Sequence, residues 1–273
     1  MSSLPDFEAP PPYVPPPSEA PAKTIVPLAF AAPLGWLRKG WGDLWAYPAV
    51  SAFYGVAFWL MAVVLGAVFR TSPEYTMSLA SGCLLVGPFL AMGLYDVSRR
   101  RESGEAPTLA ASVTCWRSHI RSMGMLVLVL IVMELLWGRA SLVVFAVFFN
   151  TGMPSTSGVM EAIFNPNNWE FVTAYTVVGG AFALIVFSIS AVSIPMILDR
   201  DTDAISAAIT SLEVMFNNTA VMLLWGALIA LLMALSLLLP WGVGLLLSGP
   251  LLGHGTWHAY RGAVQWPQDV TVP

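Results

Sequence analysis

Five stretches of this sequence are long enough to cross a bilayer and contain no Lys, Arg, Asp or Glu. They are Ala49–Phe69, Thr76–Tyr95, Phe171–Leu198, Thr219–Leu239 and Trp241–Tyr260. A membrane helix needs about 20 mainly apolar residues to cross about 30 Å of hydrocarbon. A sixth stretch, Gly124–Phe149, has the length but carries Glu134 and Arg139. Backbone groups in lipid must be satisfied within helices or a closed barrel, and these runs lack the two-residue alternation of barrel strands. The expected fold is therefore all-α: a polytopic membrane protein with six transmembrane helices. Composition agrees, since 57% of the 273 residues are hydrophobic and only 10% are charged, far from the balance of a soluble domain.

The basic residues give an orientation. Lys23, Arg38 and Lys39 precede the first span. Arg99, Arg100, Arg101, Arg117 and Arg121 lie between the second and third, Arg200 follows the fourth and Arg261 the sixth. The other side holds only Arg70, and no Lys or Arg occurs between Asn150 and Glu170. Both termini are expected in the cytoplasm.

Each pair of spans follows a segment with helical apolar spacing that is too short or too polar to cross. These segments are Leu34–Tyr47, Leu109–Arg121 and Ala204–Phe216. They read as amphipathic helices in the cytoplasmic interface, with tryptophans at headgroup depth. The chain thus reads as three hairpins, each led by an interfacial helix. Gly87-Pro88 and Gly249-Pro250 recur at matching places, each followed in register by Leu, Gly, an aromatic and Arg. Pro88, Pro195 and Pro250 can kink their spans, while Gly87 and Gly249 suit close helix packing.

The first 33 residues hold ten of the 21 prolines, so a disordered cytoplasmic tail is expected there. Its Pro10-Pro11-Pro12-Tyr13 also fits the ligand pattern of aromatic-grooved adaptor domains. The membrane domain is expected over 34–262 and a short cytoplasmic tail over 263–273.

Several segments together resemble a bacterial family of predicted integral membrane proteins classed as a domain of unknown function. They are Gly40-Trp41-Gly42-Asp43-Leu44, Leu84-Leu85-Val86-Gly87-Pro88 and Tyr95-Asp96-Val97-Ser98-Arg99-Arg100. Ser193-Ile194-Pro195-Met196-Ile197-Leu198-Asp199-Arg200-Asp201 and the run Pro250–Arg261 complete the set. The resemblance covers about residues 34–262 and implies a bacterial inner-membrane location. It implies no activity.

The candidate polar residues are few. Glu134 and Arg139 share one span; five residues apart, they stand about 140° apart around the helix. They read as a proton or ion path, or as a buried pair that fixes packing. His254 and His258 lie four residues apart on one face. That spacing suits a metal held by neighbouring imidazoles, and equally suits two hydrogen-bonded interface histidines. Asp199, Asp201 and Asp203 read as a cation site or, better, as caps for the next helix, with Asp201 or Thr202 as the capping residue. Arg99, Arg100 and Arg101 are expected against anionic lipid.

Phosphate-loop, His-Glu-x-x-His and nucleophile-elbow motifs are absent from the sequence, and two cysteines cannot make a disulfide framework or a four-cysteine zinc site. With 12 Lys and Arg against 16 acids, no basic stripe points to nucleic acid. The expectation is a non-enzymatic protein needing no cofactor, whose partners are the bilayer and other membrane subunits or a second copy. It would act as a scaffold, accessory or assembly component. The alternatives are a small transporter lined by Glu134, Arg139, His254 and Asn150, or a metal- or haem-handling protein using His254 and His258.

Overall fold

The computed structural model describes residues 23–71, 76–149 and 165–266. Most of the proline-rich tail, Asn150 and residues 267–273 lie outside the described residues. Ten α-helices follow one another in the described chain: α1 Ala32–Ala46, α2 Pro48–Thr71, α3 Thr76–Glu102, α4 Leu109–Thr114 and α5 Ile120–Phe148. Then come α6 Trp169–Ser190, α7 Ser193–Arg200, α8 Ala204–Asn217, α9 Thr219–Leu238 and α10 Leu245–Ala263. The fold is all-helical, as expected, apart from one two-stranded ribbon described below. Among the described residues four segments are long and apolar enough to cross a membrane: Pro48–Thr71, Leu109–Phe148, Trp169–Arg200 and Thr219–Leu238. The other two expected spans correspond to α3 and α10, which carry more polar residues at one end.

Local chemistry explains the boundaries. Tyr47 precedes Pro48, and a residue before proline is disfavoured in helical geometry, so α1 and α2 separate there. Helix α3 continues past Tyr95 because Asp96 pairs with Arg99 and Arg100 on the next turn, at 2.6 and 2.8 Å. Gly104, at φ 76°, then ends it.

The fourth expected span is interrupted. The chain turns at Ala191–Val192 between α6 and α7. Pro195 has no N–H to give to the Ala191 carbonyl, and the Val192 N–H is taken by Ser211 Oγ at 3.2 Å. The sixth expected span starts four residues late, at Leu245. Trp241 and Gly242 both hold positive φ, 58° and 65°, which stops a right-handed helix.

Helices form at all three segments with amphipathic spacing, although the second splits into α4 and a 3-10 turn, Cys115–His119. Asp203, not Asp201 or Thr202, caps α8, accepting from the N–H groups of Ile205 and Ser206 at 3.0 and 2.9 Å.

Order also reaches further toward both ends than the expected domain limits. Strand β1, Thr24–Ile25, pairs antiparallel with β2, Val264–Gln265. Lys23 bridges to Glu213 at 2.8 Å, and Asn218 clasps the same stretch through the Leu28 N–H and the Val26 carbonyl, at 2.7 and 3.1 Å. Residues 23–33 are thus docked on the helical domain.

The buried core is concentrated at one end of the bundle. It takes in Met92, Leu94 and Val97 of α3, Met196 and Ile197 of α7, and Trp257 and Tyr260 of α10. The apolar windows within Pro48–Thr71 and Leu109–Phe148 bury only 11% of their residues inside the chain.

Candidate functional site

Helix α1 buries Trp36, Gly40, Asp43 and Leu44, one stripe at i, i+4, i+7 and i+8. That stripe lies against α10. A side chain at Gly40 would meet the Gly255 backbone nitrogen at 2.8 Å, so the two backbones nearly touch. This approach delivers the Asp43 carboxylate to the histidine face of α10.

Asp43 is 3% exposed and holds three partners. Its Oδ2 accepts from Ser98 Oγ at 2.5 Å and from His258 Nε2 at 2.8 Å; its Oδ1 accepts from Arg101 Nη1 at 2.5 Å. The one Ser98 hydroxyl proton goes to Asp43, so His254 Nδ1, 2.8 Å away, must donate to Ser98. A neutral His254 then accepts from Ser51 Oγ at its Nε2, 3.1 Å away. The far side of His258 faces Glu102, with Nδ1 3.3 Å from Oε1.

The cluster extends outward. Glu102 Oε2 lies 3.3 Å from Arg261 Nε. Asp199 Oδ2 accepts from Tyr260 OH at 2.7 Å and from Arg200 Nε at 3.0 Å. The Arg200 guanidinium in turn stacks 5.0 Å from the Trp266 ring centre. Side chains of α1, α2, α3, α7 and α10 are thereby tied at one level.

Charge explains why such a cluster holds. Burial by itself would push the Asp43 carboxyl up. Hydrogen bonds from His258 and Ser98, with the nearby imidazoles, outweigh burial and hold it below the usual carboxylate range. An ionised carboxylate out of water is tolerated only with such pairing.

The histidines expected on one face do share it and converge on this cluster, His258 directly and His254 through Ser98. Three of their four ring nitrogens are engaged by hydroxyls or a carboxylate. Among the described residues no group of three His, Cys, Asp or Glu is placed to hold a metal.

Arg99, Arg100 and Arg101, expected against lipid, also pair with acids of the chain: the first two with Asp96, the third with Asp43. Asp96 lies one helical turn before the first two, at 2.6 and 2.8 Å from them. The three acids after the fourth span separate to different tasks. Asp199 joins the cluster, Asp201 meets His119 at 2.9 Å and Asp203 caps α8.

Glu134 and Arg139 are far from this site in the chain and on different faces of α5. Glu134 is half-buried and lines a groove with Trp137 of α5 and with Gly179 and Phe182 of α6, while Arg139 is exposed. Pro88 and Pro250 lie inside continuous helices. A side chain at Gly249 would crowd Phe58 at 3.0 Å, whereas Gly87 faces open space.

Sequence reasoning missed Asp43, Ser51, Ser98 and Glu102 as site residues. The available signal was Asp43, a carboxylate on the stripe of α1 otherwise made of Trp36, Gly40 and Leu44. The serines carried no comparable signal.

Residues 75–199 match the model of a family described as "Predicted integral membrane protein (DUF2189)". The match takes in Ser98, Arg101, Glu102 and Asp199 of the cluster, but not Asp43, His254 or His258. No curated protein and no solved structure matches the chain.

Proposed function

We propose, on the premise that the chain is an integral membrane protein, that it crosses the bacterial inner membrane six times with both ends in the cytoplasm. Two pairings support α3 and α10 as crossings. Asp43 and Ser51, around the start of α2, connect through the cluster to Ser98 and Arg101 near the end of α3. Ser236, near the end of α9, donates to Ser248 near the start of α10 at 2.7 Å. Each of these less apolar helices therefore returns beside a neighbour long enough to span. The charged cluster sits at the end carrying ten of the twelve Lys and Arg, which favours that end as cytoplasmic.

In function we read the protein as a non-enzymatic accessory or scaffold component of a membrane complex. The observation that carries this is the self-contained polar cluster. Its carboxylates, imidazoles and guanidinium groups are matched to one another, and the chain offers apolar surface instead. Trp41 and Trp45, stacked edge-on at 5.8 Å, are exposed on α1; Ile205, Ile209 and Phe216 are exposed on α8. Helices placed this way suit the headgroup layer and the flank of a partner.

The test is a gentle-detergent pull-down of tagged protein from its host, with co-purifying proteins, metals and haem quantified together. A stoichiometric membrane partner is expected. Recovery of a lone protein moves the reading to transport, for which Glu134 in its groove between α5 and α6 is the specific ground. Glu134→Gln should then abolish flux in proteoliposomes at unchanged protein abundance; under the scaffold reading it changes stability alone.

A further inference from the structure

Arg70 lies at the end of α2 remote from the Asp43 cluster. Along α2 it stands 19 residues beyond Ser51 of the cluster, about 28 Å at 1.5 Å per residue. It is the lone basic residue that the span pattern leaves on its side outside a span. It is exposed, and no carboxylate partners it among the described residues. Below it, a groove of about 430 Å³ runs between α2 and the α9–α10 turn. It is lined by Ala62, Gly66 and Ala67 of α2 and by Leu238, Pro240 and Trp241 from the end of α9 and the turn after it.

The turn is built to hold that indole outward. Trp241 adopts a left-handed backbone, φ 58°, which costs a side-chain-bearing residue energy. Its carbonyl is held by the Trp59 indole N–H at 2.9 Å, and its own ring is 74% exposed. Strain of this kind at a surface residue points toward a purpose. A short trough lined by apolar side chains, with a guanidinium at one end and an indole beside it, matches an amphiphile with an anionic head. A partner helix would need an acid at one depth and would leave the headgroup-level indole without a role.

We propose that this groove is a binding site for one anionic glycerophospholipid. Arg70 holds the phosphate, an acyl chain lies over Gly66, and Trp241 packs at the level of the glycerol. The site requires only that α2 and α9 span the membrane and does not depend on the scaffold reading.

The test uses delipidated full-length protein in nonionic detergent, titrated with dioleoylphosphatidylglycerol, with bound lipid counted by native mass spectrometry. One lipid per chain is expected. Binding should weaken about tenfold in Arg70→Gln, the loss of one charge-assisted contact. It should weaken comparably in Gly66→Leu, which fills the trough; a side chain at Gly66 meets nothing within 4 Å, so the fold is preserved. Arg139→Gln, exposed on another helix, should bind as the parent does. Neutral dioleoylglycerol and inorganic phosphate each carry half of the ligand, and neither should displace the lipid at equal concentration. Unchanged binding in Arg70→Gln or Gly66→Leu overturns the proposal. Displacement by phosphate alone also overturns it, reducing the site to one for free anions.

Discussion

Asp43 is the residue on which most of the polar architecture depends. Replacing it with Asn removes the charge while Arg101 and His258 stay in place, and leaving a buried polar partner unmatched costs about 1–3 kcal/mol. Asp43→Asn should therefore melt well below the parent in a detergent thermal-shift assay, and an equally stable variant would show that the cluster contributes nothing. The same carboxylate predicts an acid dependence. Its folded pKa lies below its unfolded one, so it stabilises the protein above about pH 4 and this contribution is lost as pH falls through the lower folded value. Melting temperature should drop between about pH 5 and pH 3, and Asp43→Asn should flatten that drop. How much of this site a sequence could disclose follows from spacing. His254 and His258 announced their shared face, and Asp43 sat on a readable stripe. That His258 meets Asp43, more than two hundred residues away, depends on which helices pack together, and helical periodicity carries no such information.

Among the elements, close backbone approach distinguishes glycines that look alike in the sequence. A side chain at Gly55 would lie 2.2 Å from the Leu246 carbonyl oxygen, forcing α2 off α10, whereas Gly82 on α3 meets nothing within 4 Å. Gly55→Ala should destabilise by about 1–3 kcal/mol. Gly82→Ala should be neutral or stabilise by about 0.5–1 kcal/mol, since glycine weakens a helix interior. Thermal melting of the two variants side by side checks both, and equal melting would contradict the packing. Helix existence was legible because apolar length and Lys–Arg placement are local properties. The break at Ala191 was only partly so. Pro195 signalled a disturbance in the fourth span, but the Ser211 hydroxyl that takes the Val192 N–H comes from a different helix. Likewise, the sequence shows the charge of Arg99 to Arg101 but not the orientation of Asp43 and Asp96 toward them.

At the scale of the whole molecule, the charged cluster marks one end of the bundle and the α9–α10 turn the other. A topology experiment reads this directly. With Cys83 and Cys115 replaced by Ser, a cysteine at Val243 should react with an impermeant maleimide in intact cells. One at Ser103 should react only after permeabilisation. The reverse pattern would invert the molecule, and labelling of both in intact cells would refute the odd number of crossings between them that six spans require. The pairing of Thr24–Ile25 with Val264–Gln265 adds a constraint of another kind, one of arithmetic. Two strands can join only if they lie on the same side of the bilayer, so the chain between them must cross an even number of times. Hydropathy judges each helix separately and can miscount by one, but the ribbon admits no odd total. A relative that gained or lost a single crossing would have to give up the ribbon, and with it the seat of the segment leading into α1.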